Sequence, residues 1–199
     1  MKKIAAMIFL ILLCLSFSFS QTKREVKNRI LTSEDAPKIR LKFDKKFKFA
    51  GSQKFVLYER AEAEQFFFIE AEDKKIKRLY MLQFENFLPG IEGTYNYDEP
   101  QTVKIGGLDF FANAETIPNV EQALKAVPDS DIAKAAEFLK SKGFTLMNSL
   151  LYQRFVRVVS DDKRREFIML YIEASENADV EKQKTNLQTQ ALKNFKILK

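Results

Sequence analysis

Between Gln65 and Phe84 the chain carries the pattern of an antiparallel hairpin, and that pattern constrains the fold more than any other feature. With Asp73-Lys74 as a two-residue turn, Glu72 falls opposite Lys75 and Glu70 opposite Lys77. Phe68 then faces Leu79, and Phe66 faces Met81. Charge meets opposite charge and ring meets aliphatic side chain, each pair adding roughly 0.2–1 kcal/mol. Strand side chains alternate with period two, so a slip of one residue would turn every one of them to the other face. A second hairpin turns at Gly106-Gly107, between Thr102–Ile105 and Leu108–Phe111. Two glycines accept the positive φ that a type I′ turn demands. A third joins Leu150–Val159 to Glu166–Ile172. A turn at Asp162-Lys163 there sets Asp161 against Arg164. It also puts Tyr152 and Arg154 on one face with Tyr171 and Glu173, with a diagonal Arg154–Glu173 ion pair. Upstream, Phe47 and Phe49 alternate with Lys46 and Lys48, Ala50-Gly51-Ser52-Gln53 reads as a turn, and Phe55–Ala61 reads as a strand.

The strand patterns are interrupted by helical ones. Asn119 can cap a short helix carrying Val120, Ala123, Leu124 and Val127, ended by Pro128. Asp129, Ser130 or Asp131 can cap the next, whose Ile132, Ala135, Ala136 and Leu139 form one apolar stripe. Lys140 and Lys142 suit its negative end, and Gly143 its C-terminal turn. Val180, Leu187, Ala191, Phe195 and Leu198 line one side of a polar C-terminal helix, which is expected to lie against the domain rather than inside it. Residues 21–40 read as a short helix or a loose N-terminal arm. The predicted fold is α+β: an antiparallel meander of hairpins packed against a helix pair, with a further hairpin and a C-terminal helix.

The first twenty residues carry a different message. Lys2 and Lys3 precede an apolar run from Ile4 to Leu15, and Ser18 and Ser20 supply small residues before Gln21. That is the pattern of a secretory signal, and the run is too short to span a bilayer. Residues 1–20 are therefore expected to be a bacterial-type signal peptide cleaved after Ser20. Residues 21–199 would form one exported domain, periplasmic or secreted, without a transmembrane span. Leu13 stands before Cys14 where lipid attachment would want a small residue, which argues against a lipoprotein. Cleavage would remove Cys14, the only cysteine, and two lysines, lowering the formal charge from +6 to +4.

The composition then excludes chemistry. The chain has no histidine, and the expected mature part has no thiol. Ser-His-Asp and Cys-His catalysis, histidine bases and ordinary zinc sites are ruled out for it. No cofactor or metal site is expected. Ser160-Asp161-Asp162-Lys163 matches S-x-x-K, but it falls on a hairpin turn instead of opening a helix. Gly90-Ile91-Glu92-Gly93 matches the GXXG of a KH domain without its flanking helices. Asp129-Ser130-Asp131 starts like a calcium loop, lacks the rest, and serves better as a cap.

Two features bear on function. The segment from Asn86 to Pro100 is the longest loop, and long loops on compact domains often carry binding groups. Its Phe87, Tyr95, Tyr97, Asp98 and Glu99 are the candidate ligand-binding residues. The strand carboxylates Glu59, Glu70, Glu72, Glu85, Glu166 and Glu173 are the other resource. The preferred reading is a non-catalytic domain that binds a small hydrophobic ligand, a glycan or a protein partner, and no nucleic acid. No catalytic residue is assigned under it. The alternative is a carboxylate-dependent hydrolase of an extracytoplasmic substrate, with Glu85 and Glu173 as candidates. Lys42, Lys45, Lys46 and Lys48, interleaved with Phe43, Phe47 and Phe49, suit a lysine-guarded edge strand better than a lipid-binding patch.

Overall fold

A computed structural model describes residues 24–98, 101–175 and 180–198. The expected signal, with Cys14, Ser18 and Ser20, lies outside the described residues, as do Glu99 and Pro100. Eleven strands and three helices are described. Strands β1 (Arg24–Lys27), β2 (Ile30–Ser33), β3 (Ile39–Phe43) and β11 (Phe195–Ile197) form a four-stranded sheet in the order β1-β2-β3-β11. Strands β4 (Lys48–Leu57), β5 (Ala61–Glu72), β6 (Lys75–Phe87), β7 (Thr102–Ile105), β8 (Leu108–Ile117), β9 (Leu150–Val158) and β10 (Arg165–Ala174) form a seven-stranded one. Its order is β4-β5-β6-β10-β9-β8-β7, and every pairing is antiparallel. Helices α1 (Val120–Ala126) and α2 (Asp131–Ser141) lie between β8 and β9, and α3 (Val180–Lys193) precedes β11. The α+β class therefore holds, but with two sheets where the sequence suggested a single meander.

The second sheet comes from residues whose pattern was weakest. Residues 24–33, expected as a helix or an arm, are a hairpin turning through Asn28 and Arg29, both at positive φ. In β3, Ile39, Leu41 and Phe43 are buried and alternate with exposed Arg40 and Lys42. The chain crosses to the large sheet at Asp44–Lys46. There Phe43 stacks on Phe68 at 4.0 Å, and Phe47 meets the edge of Tyr80 at 4.9 Å. The phenylalanines Phe43 and Phe47 of the lysine-rich run thus point into the core. Lys48 and the half-exposed Phe49 lie on β4, the edge of the large sheet. Phe195 belongs to β11 and not to the C-terminal helix. Leu187 and Ala191 of α3 are fully buried in the core between the sheets while the rest of residues 181–193 are exposed or half-buried, so the helix lies against the domain along one narrow stripe. The Tyr80 hydroxyl donates to the Ala191 carbonyl at 2.5 Å from the centre of this core.

The opposite face of the large sheet carries a second cluster. Phe67, Ile69, Leu79, Met81, Leu170 and Ile172 share it with Val120 of α1 and Ala135 and Leu139 of α2. The caps are side-chain oxygens: Asn119 accepts from the Gln122 amide at 2.9 Å, and Ser130 from the Ala133 amide at 3.1 Å.

Three local expectations are corrected. The hairpin at Asp73-Lys74 turns where expected and pairs Glu72 with Lys75. A bulge between Glu70 and Ala71 then sets Glu70 against Arg78, Phe68 against Tyr80 and Phe66 against Leu82. Ile76 and Leu79 are three residues apart yet both buried on the helix side, and a regular strand cannot place them so. Ala50–Gln53 is no turn: β4 runs through it with a bulge at Phe49/Gly51 and reverses at Tyr58–Arg60, where Tyr58 and Glu59 adopt positive φ. The third hairpin pairs Val158 with Glu166 and closes through Ser160–Arg164, where Ser160 Oγ accepts from the Arg164 and Arg165 amides. That is one residue off the expected register. Arg154 now opposes Leu170, so it leaves the face of Tyr171 and Glu173. The Gly106-Gly107 hairpin has the expected register, with Lys104 opposite Asp109 and φ of +58° and +87°.

Candidate functional site

Beside the helices, the same face of the large sheet turns polar. Gln53, Gln65 and Gln83 sit side by side on β4, β5 and β6. Two residues further along β6 comes Glu85, whose direct neighbour on β10 is Glu166. All but Gln53 are buried, Glu166 to 3% exposure and Glu85 to 7%. Groups so buried must satisfy one another. Gln53 Nε2 donates to Gln65 Oε1 at 2.7 Å, Gln65 Nε2 donates to Gln83 Oε1, and Gln83 Nε2 donates to Glu85 Oε1. Asp131 joins from the first turn of α2. Its carbonyl accepts from Gln65 at 3.0 Å and its carboxylate from Gln83 at 3.1 Å.

The long loop covers this row. Tyr95 donates to Glu85 Oε2 at 2.9 Å, and Tyr97 donates to Glu166 Oε2. The Tyr97 ring packs on Phe111 at 5.7 Å, with the Arg154 guanidinium 5.4 Å from its centre. Phe87 lies 4.6 Å from Tyr95, and the guanidinium groups of Arg60 and Arg164 lie 5.7 and 5.3 Å from its ring. Arg164 also donates to the carbonyls of Leu88 at 3.0 Å and Gly93 at 3.3 Å, and the Tyr95 amide donates to the Lys163 carbonyl at 2.8 Å. The loop is therefore bolted to the third hairpin. Asn86 and Phe87, expected in the loop, are instead the last residues of β6, while Tyr95 and Tyr97 turn toward the sheet and Asp98 is exposed.

Burial dominates the electrostatics. It pushes the Glu166 carboxyl up to about 8, reinforced by the Glu85 charge and opposed by the Tyr97 hydroxyl and Arg154. It raises Glu85 as well, against hydrogen bonds from Gln83 and Tyr95. Asp131 is raised for the same reason. Tyr95 and Tyr97 are raised by burial and then by the carboxylates beneath them, so both remain phenols. Both carboxyls of the Glu85–Glu166 pair therefore hold a proton more readily than exposed glutamates do. Two adjacent carboxyls of raised proton affinity are elements of acid–base chemistry, but here each has one oxygen taken by a tyrosine.

Of the two acids named for the hydrolase alternative, Glu85 lies in this pair. Glu173 lies on the other face of the sheet, where it accepts from Tyr171 at 2.9 Å and Gln183 at 3.0 Å. Asp131 was named only as a helix cap and Arg154 only as a partner of Glu173, and Gln53, Gln65 and Gln83 were not singled out from sequence. The one signal for them is a polar residue interrupting an apolar strand, as Gln83 interrupts Leu79–Phe84. Among the described residues, no cluster of acidic side chains is arranged to hold a metal ion, and no helix is long and apolar enough to cross a membrane.

An open cleft of about 770 Å³ lies elsewhere, between α1, α2 and the segment Thr145–Asn148. Neither Glu85 nor Glu166 lines it. Its floor is Val120, Leu124, Ala136, Leu146 and Met147, and its rim carries Glu121, Lys125, Glu137 and Lys140. No family model, no curated protein and no solved structure matches this chain.

Proposed function

We propose that the chain is exported with residues 1–20 removed, and that the remainder is a non-catalytic ligand-binding domain. In this reading the helix pair packs on the large sheet and forms the walls of the binding site. One contrast carries the proposal. The carboxylate pair best suited to acid–base work is buried under Tyr95 and Tyr97, whereas the cleft between α1 and α2 is open and of ligand size. The aromatic loop then serves to seal the polar row, and its tyrosines order the carboxylates. The hydrolase alternative draws on the Glu85–Glu166 pair, and it requires the loop to lift before substrate can reach either acid.

Native mass spectrometry of the protein purified from its own host tests the reading in one measurement. The expected mass begins at Gln21 and carries a retained small molecule. An intact Met1 or a lipid on Cys14 refutes the export assignment. A ligand-free protein that hydrolyses a substrate, and loses that activity in Glu85→Gln, refutes the binding assignment.

A further inference from the structure

The floor of the cleft is also the roof of a second space. Val120, Leu124, Ala136, Leu146 and Met147 separate the open cleft from a cavity of about 50 Å³ between the helices and the sheet. That cavity is walled by aliphatic and methionine side chains alone, among them Ile76, Leu79, Met81, Leu139 and Ile172. It has room for about one or two water-sized groups and offers no polar partner to a water. The partition is adaptable. Methionine fills irregular space and yields readily. Helix α1 is only seven residues long, and the Val120 amide holds its start to the Asn148 carbonyl at 2.9 Å. A narrow apolar chain entering from the cleft would pass between Leu124 and Met147 and join the two spaces.

The rim specifies the other end of such a molecule. Glu121 and Lys125 pair at 2.7 Å, and Glu137 and Lys140 add one charge of each sign. The mouth is therefore balanced, with Asn119, Thr145 and Asn148 supplying neutral hydrogen-bonding groups. The rim offers a charged head no net countercharge, and such a head would lose water on entry. We propose that the α1–α2 cleft binds a single-chain amphiphile with an uncharged polar head, its alkyl chain reaching the apolar cavity beneath Met147. This rests on the binding reading above and names the site and ligand class for it.

The methionines provide the test. Met81 and Met147 line the cavity, while Met169 is buried in the core between the sheets and serves as an internal control. With methyl-labelled methionine in the purified mature protein, 1-monolauroylglycerol below its micelle concentration is expected to shift Met81 and Met147 saturably and leave Met169 in place. Laurate and dodecylamine, with the same chain length, are expected to bind roughly tenfold more weakly or worse. Ala136→Leu, which fills the partition, is expected to abolish the shifts. If that variant moves the Met169 resonance, Leu124→Asn replaces it, with Met169 again reporting the core. Silent Met81 and Met147 methyls overturn the proposal, as does equal movement of all three. Charged ligands binding as tightly as the neutral one overturn the head-group assignment. Silent methyls in a protein that still retains a host ligand would place binding elsewhere, whereas silent methyls in a ligand-free protein would remove both readings.

Discussion

Replacing Glu166 with glutamine isolates the proton held by the carboxylate pair. An unfolded glutamate titrates near 4.5, and in the folded chain burial beside Glu85 lifts Glu166 to about 8. Between those values the native state keeps a proton that the unfolded state has released. Stability must then fall as pH rises through that window, and it is fully present only below about 4.5. One proton's difference sets a slope approaching about 1.4 kcal/mol per pH unit, with a cumulative loss on the order of 5 kcal/mol, of which about 3 kcal/mol falls between pH 5 and 8. Carboxylates shifted the other way, Glu72, Glu121 and Asp162, act below their ordinary range, whereas Glu85 and Asp131 are raised by burial and add a fall of the same sign that the variant retains. Glutamine keeps an oxygen for the Tyr97 hydroxyl and never ionises. Urea unfolding from pH 5 to 9 should therefore show a falling midpoint for the native sequence and a much flatter one for Glu166→Gln. The curves should meet near pH 5 and stand apart by about 3 kcal/mol near pH 8. A native profile that is level or rising between pH 5 and 8, or two parallel profiles, would refute this account of the pair.

Three further substitutions probe the hairpin tip and the loop over the site. Both turn glycines have positive φ, but a Cβ on Gly106 would come within 2.6 Å of Ile197 Cδ1, while one on Gly107 meets nothing within 4 Å. Gly107→Val should cost about 1–3 kcal/mol of backbone strain, and Gly106→Val more than that, in thermal or urea unfolding. Equal midpoints for the two would show that the hairpin tip does not rest on β11. Tyr97→Phe removes the donor to Glu166 and should cost about 1–3 kcal/mol, with faster amide exchange confined to 88–98. Unchanged exchange there would mean that Arg164 and Tyr95 anchor the loop without Tyr97.

The hairpins were legible because each turn announces itself locally. Asp73-Lys74 and Gly106-Gly107 lie where the charge pairing put them. What local pattern does not encode is a change in count. The bulge after Glu70 and the longer loop at Ser160–Arg164 each shift a strand by one residue. The second shift moves Arg154 from the Glu173 face to the Tyr97 face. The small sheet was hidden for another reason: its four strands are three to five residues long and come from opposite ends of the chain, so only tertiary burial reveals them. The candidate loop was found from its length and aromatics. Its inward aim was not, because the acceptors for Tyr95 and Tyr97 sit on strands 10 and 69 residues away in sequence.

Which acid of the pair holds the proton follows from the direction of the hydrogen bonds. The amides of Gln53, Gln65 and Gln83 each point their nitrogen toward the next strand position, so the row runs one way and ends on Glu85 Oε1. Tyr95 donates to the other oxygen of the same carboxyl. With donors on both oxygens, Glu85 is best served as an anion. Glu166 receives the Tyr97 hydroxyl on one oxygen and stands beside a negative neighbour. Keeping it protonated removes a repulsion between two buried charges and supplies a donor directed at Glu85. Reversing the assignment would leave an acid hydrogen at Glu85 competing with two existing donors. The glutamine row therefore favours the charged form of a carboxylate two strands away from where it begins, and the raised affinity of Glu166 for its proton is the other end of the same arrangement.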